Sequence, residues 1–72
     1  MKILKLLFRY GQLNTSDVAS RVGVNYESAL RNLRLLEIEG IVKHRLSGRS
    51  RFFRFDNSLK AKATMKLLEA WE

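Results

Sequence analysis

Asp17-Val18-Ala19-Ser20-Arg21-Val22-Gly23-Val24-Asn25 runs directly into Tyr26-Glu27-Ser28-Ala29-Leu30-Arg31-Asn32-Leu33-Arg34-Leu35-Leu36-Glu37, and the join between the two stretches decides the fold. Val18, Ala19 and Val22 share one side of a helix spanning about 15–22. Asn14 is placed to cap its N-terminus, with Asp17 three residues on in a short-armed capping box. Gly23 and Val24 leave room only for a tight turn before Asn25 caps a second helix over about 26–39, which Gly40 ends. Ala29, Leu33 and Leu36 form the apolar stripe of that second helix, while Glu27, Ser28, Arg31 and Arg34 lie on its other side. The pattern is helix, sharp turn, helix, with a polar face turned outward.

Working outward, Leu13 centres a short extended stretch, and Gly11 stops a first helix over about 2–10. In that helix Lys2, Lys5 and Arg9 share one face, and apolar residues cover the rest. Downstream of Gly40 the period changes to that of a strand. Residues 41–46 and 51–55 flank the turn Ser47-Gly48-Arg49-Ser50 and read as a two-stranded β-hairpin. Val42 and Leu46 can share a face with Phe53 and Phe55; Phe52 is either partly exposed or packed against Ile41. Asp56, Asn57 or Ser58 then caps a last helix over about 59–71. The expectation is one α+β domain over residues 1–72: a three-helix core, a two-stranded hairpin and a C-terminal helix.

Composition narrows the function. Fourteen Lys and Arg against seven Asp and Glu give a net charge of +7, which favours a polyanionic partner, with nucleic acid foremost. The absence of Pro and a 46% hydrophobic content suit an ordered chain rather than a disordered tail. With no Cys, disulfides, thiol chemistry and Cys-based metal sites are excluded. Lys5 and Arg9 break the N-terminal apolar run before it reaches signal-peptide length, and no stretch approaches a membrane span. A cytoplasmic protein fits. The serines sit mostly at caps and turns, where Ser is expected in any case. No catalytic constellation emerges, and a non-enzyme with no cofactor is expected.

Residues 16–55 resemble the winged helix-turn-helix of bacterial and archaeal regulators, especially ArsR-like and MarR-like ones. The likeness rests on Asp17 to Asn25, on Ala29 to Glu37, on Gly40-Ile41-Val42, and on the basic, Gly-turned, aromatic-ended hairpin Ser47-Gly48-Arg49-Ser50-Arg51-Phe52-Phe53-Arg54-Phe55. The resemblance implies a regulator of transcription that binds duplex DNA as a homodimer. ArsR-like proteins often sense metals through Cys or His clusters. This chain departs from that pattern, having one histidine, His44, and no cysteine, so no metal site is carried over.

In a helix-turn-helix the N-terminal half of the second helix reads base edges in the major groove. That makes Tyr26, Glu27, Ser28 and Arg31 the candidate readers, with Asn25 at the helix entry and Asn32 and Arg34 nearer the phosphates. The hairpin adds Lys43, Arg45, Arg49, Arg51 and Arg54 with no acid among them. Charges that merely guard an edge strand could be of either sign. One-sided charge points instead to phosphate or minor-groove contact, first of all by Arg49 at the tip.

The first and last helices carry more apolar surface than a surface helix needs. In the last, Ala61, Met65 and Leu68 form one stripe, and Leu59, Ala63, Leu67 and Ala70 lie nearly opposite, with Trp71 between. The expected dimer interface is therefore Ile3, Leu4, Leu6, Leu7, Tyr10, Leu59, Ala63, Leu67, Ala70 and Trp71. The alternative is a small domain that wraps both helices around one core. Two other functional readings stand beside DNA binding. One is a protein-interaction module in a transcription or replication assembly, which need not keep these surfaces basic. The other is a membrane-surface binder using the first helix, with Lys2, Lys5 and Arg9 as its polar face.

Overall fold

The computed structural model describes residues 2–71, with side chains through Ala70. The chain runs α1 (Lys2–Tyr10), β1 (Gln12–Asn14), α2 (Thr15–Val22), α3 (Tyr26–Ile38), β2 (Val42–Ser47), β3 (Ser50–Phe55) and α4 (Leu59–Trp71). The local signals that predict these boundaries are the ones that make them. Asn14 is extended and its Oδ1 accepts the Asp17 N–H at 2.7 Å, opening α2. Gly23 takes a left-handed φ of 85° that only glycine adopts freely, so the Gly23 and Val24 N–H groups both turn back to the Ala19 carbonyl. Asn25 then repeats the capping geometry, accepting the Ser28 N–H at 2.8 Å. Of the three residues able to cap α4, Ser58 is the one that does. Its hydroxyl accepts the Ala61 N–H at 3.1 Å and donates to the Gly40 carbonyl at 2.5 Å, while the Asp56 carboxylate takes the Asn57 N–H.

The sheet has three strands in the order β1-β3-β2, all antiparallel, rather than the two of a bare hairpin. A hairpin leaves one edge of each strand unpaired. Gln12–Asn14 closes the free edge of β3, with Leu13 opposite Phe53 and buried. Phe53 thereby sits on the middle strand and is fully buried, together with Leu7, Val18, Leu33 and Val42 from four other elements. Leu46 shares the face of Phe53 but lies toward the tip, past the end of the core, and is 68% exposed. Phe52 is half-buried on the opposite face, across from Asn14 and Arg45.

The terminal helices correct part of the expected dimer interface. Ile3, Leu4 and Leu7 belong to the chain's own core, so they have no surface left for a second subunit. Leu6 is half-buried against that core. The same burial leaves α1 no apolar face with which to lie in a bilayer, because inserting it would unfold the domain. In α4 the two stripes separate as their spacing predicts. Ala61 and Leu68 pack inward, whereas Leu59 is 86% and Leu67 62% exposed, with Ala63 and Ala70 exposed beside them. The side chain of Trp71 lies outside the described residues.

Candidate nucleic-acid interface

Once Ala29, Leu33 and Leu36 dock into the core, the opposite face of α3 is committed to solvent. Glu27, Arg31 and Arg34 are exposed there, and Tyr26 and Asn32 are exposed on its flanks. Ser28 is half-buried, and the Oδ1 of Asn25 is spent on the cap. Glu27, Arg31 and Arg34 line one shallow groove of about 320 Å³ with Leu30 and Leu35. Two ion pairs occur among the described residues, His44 with Glu37 and Lys60 with Glu39, so every arginine of α3 and of the hairpin is free of an acid partner.

Strand register sorts the hairpin cations into three positions. Lys43 stands directly opposite Arg54, and Arg45 opposite Phe52, so these three cations share the sheet face turned away from Phe53. Like charges directly opposite one another destabilise a strand pair, and nothing acidic on the sheet compensates them. Arg51 lies across from Leu46 on the other face. Arg49 is exposed in the turn.

The structure brings Tyr26, Arg49 and Arg51 together with Asn14, Thr15, Ser16 and Ser50 around a polar notch of about 50 Å³. Three elements meet here: the N-terminus of α2, the N-terminus of α3 and the tip of the hairpin. The first N–H groups of a helix have no intrahelical acceptor and carry partial positive charge, which suits an anion. Beside them, Thr15 is 1% exposed and its Oγ1 has no hydrogen-bond partner, and the Nε of Arg51 is likewise buried and unpartnered. Such groups cost about 1–3 kcal/mol each when nothing satisfies them. Thr15, Ser16 and Ser50 are absent from the sequence-based candidates. Hydroxyl residues directly after a capping Asn were the available signal, but only the fold shows that the hairpin reaches them. Lys43, Arg45 and Arg54 do not join this notch.

His44 pairs with Glu37 through Nδ1 at 2.6 Å and packs its ring 5.3 Å from that of Phe53, centroid to centroid. It fastens β2 to the last turns of α3. Elsewhere, Lys60 hydrogen-bonds Glu39, and that bond with its attached charge holds the Glu39 carboxyl below the usual carboxylate range.

No protein-family model and no curated protein matches the sequence. Solved structures do match its shape. HlyU from Vibrio cholerae superposes with a TM-score of 0.82 at 24% identity, over 97% of this chain and 74% of that one. The homodimeric winged helix-turn-helix DNA-binding domain of Mb0332 from Mycobacterium bovis, a possible ArsR-family transcriptional regulator, gives 0.79 at 26% identity, over 94% and 61%. Streptococcus pneumoniae FabT in complex with DNA gives 0.84 at 15% identity, over 97% of this chain and 50% of that one. The chain thus spans from half to three quarters of the length of these proteins. It has the winged helix-turn-helix fold of ArsR-like and MarR-like transcriptional regulators.

Proposed function

We propose that this chain is a sequence-specific duplex-DNA-binding protein that regulates transcription as a homodimer. The observation that carries the proposal is the polar notch. A backbone phosphate seated there would accept from α2, from Thr15 or Ser16 and from Arg51, and would offer the unpartnered groups an acceptor. Seating it would also lay the N-terminal half of α3 along the major groove, with Glu27 and Arg31 toward base edges and Arg34 toward the flanking backbone. The hairpin then runs to the adjacent minor groove or backbone, where Arg49, Lys43, Arg45 and Arg54 meet phosphates instead of one another.

The exposed α4 stripe of Leu59, Ala63, Leu67 and Ala70 is the surface proposed to pair two copies. The homodimeric state of the Mb0332 domain and the DNA bound to FabT support the reading. Two copies would present their reading helices about 34 Å apart to a palindromic site. A cytoplasmic location goes with it, and no described helix is long and apolar enough to cross a membrane.

The test begins by selecting a binding site from a random duplex pool and measuring affinity for it and for random duplex across salt concentrations. Arg31→Ala is expected to lose about 1–3 kcal/mol on the selected site and little on random DNA. Arg49→Ala is expected to weaken both evenly and to flatten the log–log salt slope by about 0.9. Equal losses on both DNAs for Arg31→Ala, with an unchanged slope for Arg49→Ala, would remove α3 and the hairpin from the interface.

A further inference from the structure

We infer that the outer face of α1 and the end of α2 form a binding site for a small organic polyanion, of the class of phosphorylated metabolites that carry two or more linked phosphates. Lys2, Lys5, Arg9 and Arg21 surround a hollow of about 280 Å³ whose remaining wall is Leu6. This is a separate place on the molecule: it shares no residue with the α3 groove or with the polar notch. The inference does not depend on the DNA-binding proposal.

Three observations point to an anionic occupant. No acid lines the hollow, and both ion pairs among the described residues lie elsewhere, so four cations face one space with their charge uncompensated. Solvated surface cations ordinarily spread apart, whereas here Arg21 is held in place and Arg9 stands beside the same ring. The Tyr10 ring lies 4.5 Å below the Arg21 guanidinium and 6.0 Å from that of Arg9, and the Tyr10 hydroxyl accepts from Arg21 Nη1 at 3.2 Å. A guanidinium fork fixed in advance loses less freedom when it grips a phosphate, and its planar donors match the oxygens in pairs. Finally, Lys2, Lys5 and Arg9 recur along a single helix face, spanning about 10 Å at about 1.5 Å per residue. That span suits linked phosphates rather than one isolated ion, with Leu6 offering an apolar seat to the organic part. The hollow is concave and its apolar neighbours Ile3, Leu4 and Leu7 are consumed by the core, which favours a soluble ligand over a bilayer surface.

The experiment is a titration of the 72-residue chain with pyrophosphate and, separately, with ATP, followed by amide NMR at fixed ionic strength. Saturable shifts in α1 and the last turn of α2 are expected, with an affinity separate from that of the polar notch. The double variant Arg9→Gln/Arg21→Gln should weaken binding at least tenfold while leaving the amide spectrum elsewhere unchanged. Tyr10→Phe, which keeps the ring and removes the hydroxyl, should weaken it severalfold. Arg31→Ala/Arg49→Ala should leave the shifts of the α1 and α2 amides as in the parent. The inference is overturned if the α1 and α2 shifts do not saturate, or if the Arg9/Arg21 variant titrates like the parent at those amides. It is also overturned if these amides respond only to duplex DNA or only to anionic phospholipid vesicles, since the cluster would then belong to one of those polymeric or lipid surfaces. None of the positive arms contains DNA, so failure here leaves the DNA-binding proposal standing, and failure of that proposal leaves this one standing.

Discussion

Helix α1 commits Ile3, Leu4 and Leu7 to the core and turns Lys2, Lys5 and Arg9 outward, whereas α4 commits Ala61 and Leu68 and leaves Leu59, Ala63, Leu67 and Ala70 in water. In sequence the two helices look alike, each more apolar than a surface helix requires. The difference lies in how the apolar residues are spaced. In α1 three of them fall within one arc that a single core can absorb. In α4 they divide into two arcs on nearly opposite sides, and a helix can press only one of those against its own domain. Apolar content alone therefore does not mark an interface; an apolar arc left over after the core is filled does. By that measure α4 is the surface we propose for a second copy, and α1, once folded, presents like charges that a second copy would repel.

The largest effect that would test this contrast is Leu7→Ala. A fully buried leucine leaves a cavity when truncated, and a loss of about 2–5 kcal/mol is expected in urea unfolding. A loss below 1 kcal/mol would mean that α1 is not held by the core. Next, Leu67→Glu should raise the dimer dissociation constant at least tenfold in sedimentation equilibrium, while folding stability of the single chain moves by no more than about 0.5 kcal/mol, as for most surface changes. A dimer that survives Leu67→Glu but not Lys5→Glu would reverse the assignment of the two helices. The smallest effect concerns the start of α4. Because Lys60 holds the Glu39 carboxyl below its usual range, the stability it lends is fully present above the unfolded carboxylate pKa and is lost as pH falls through the lower folded value. Lys60→Ala should return the Glu39 titration, followed by NMR, upward toward an ordinary glutamate. An unmoved titration would show that the contact is not kept in solution.

Much of the fold is legible in the sequence because its boundaries rest on contacts three or four residues long. Asn14, Asn25 and Gly23 each act within their own turn, so their identities alone place α2 and α3. What was not legible depends on neighbours distant in the chain. The strand Gln12–Asn14 is too short to show a period, and it is a strand only because β3 offers it an open edge. Ser58 could not be told from Asp56 or Asn57 as the cap of α4, since the choice is made by the Gly40 carbonyl 18 residues away. The exposed α3 residues were readable from the helical wheel. The convergence of Thr15, Ser16 and Ser50 with Arg49 and Arg51 was not, because it requires the hairpin to fold back over the start of α2. Division of the apolar residues between core and solvent was readable for α4, where the stripes oppose each other. It was misread for α1, where sequence gives no measure of how much surface the core can take.

The end of α3 is tied on two sides at once. Glu37 holds His44 of β2, Glu39 holds Lys60 of α4, and the Gly40 carbonyl holds Ser58 where α4 begins. These ties couple α3, the proposed reading helix, to the element proposed to join two copies. A dimer built on α4 would then behave as a fixed caliper. It would measure the distance between half-sites rather than adapt to it, and inserting or deleting a single base pair at the centre of its target would cost it one of its two grips.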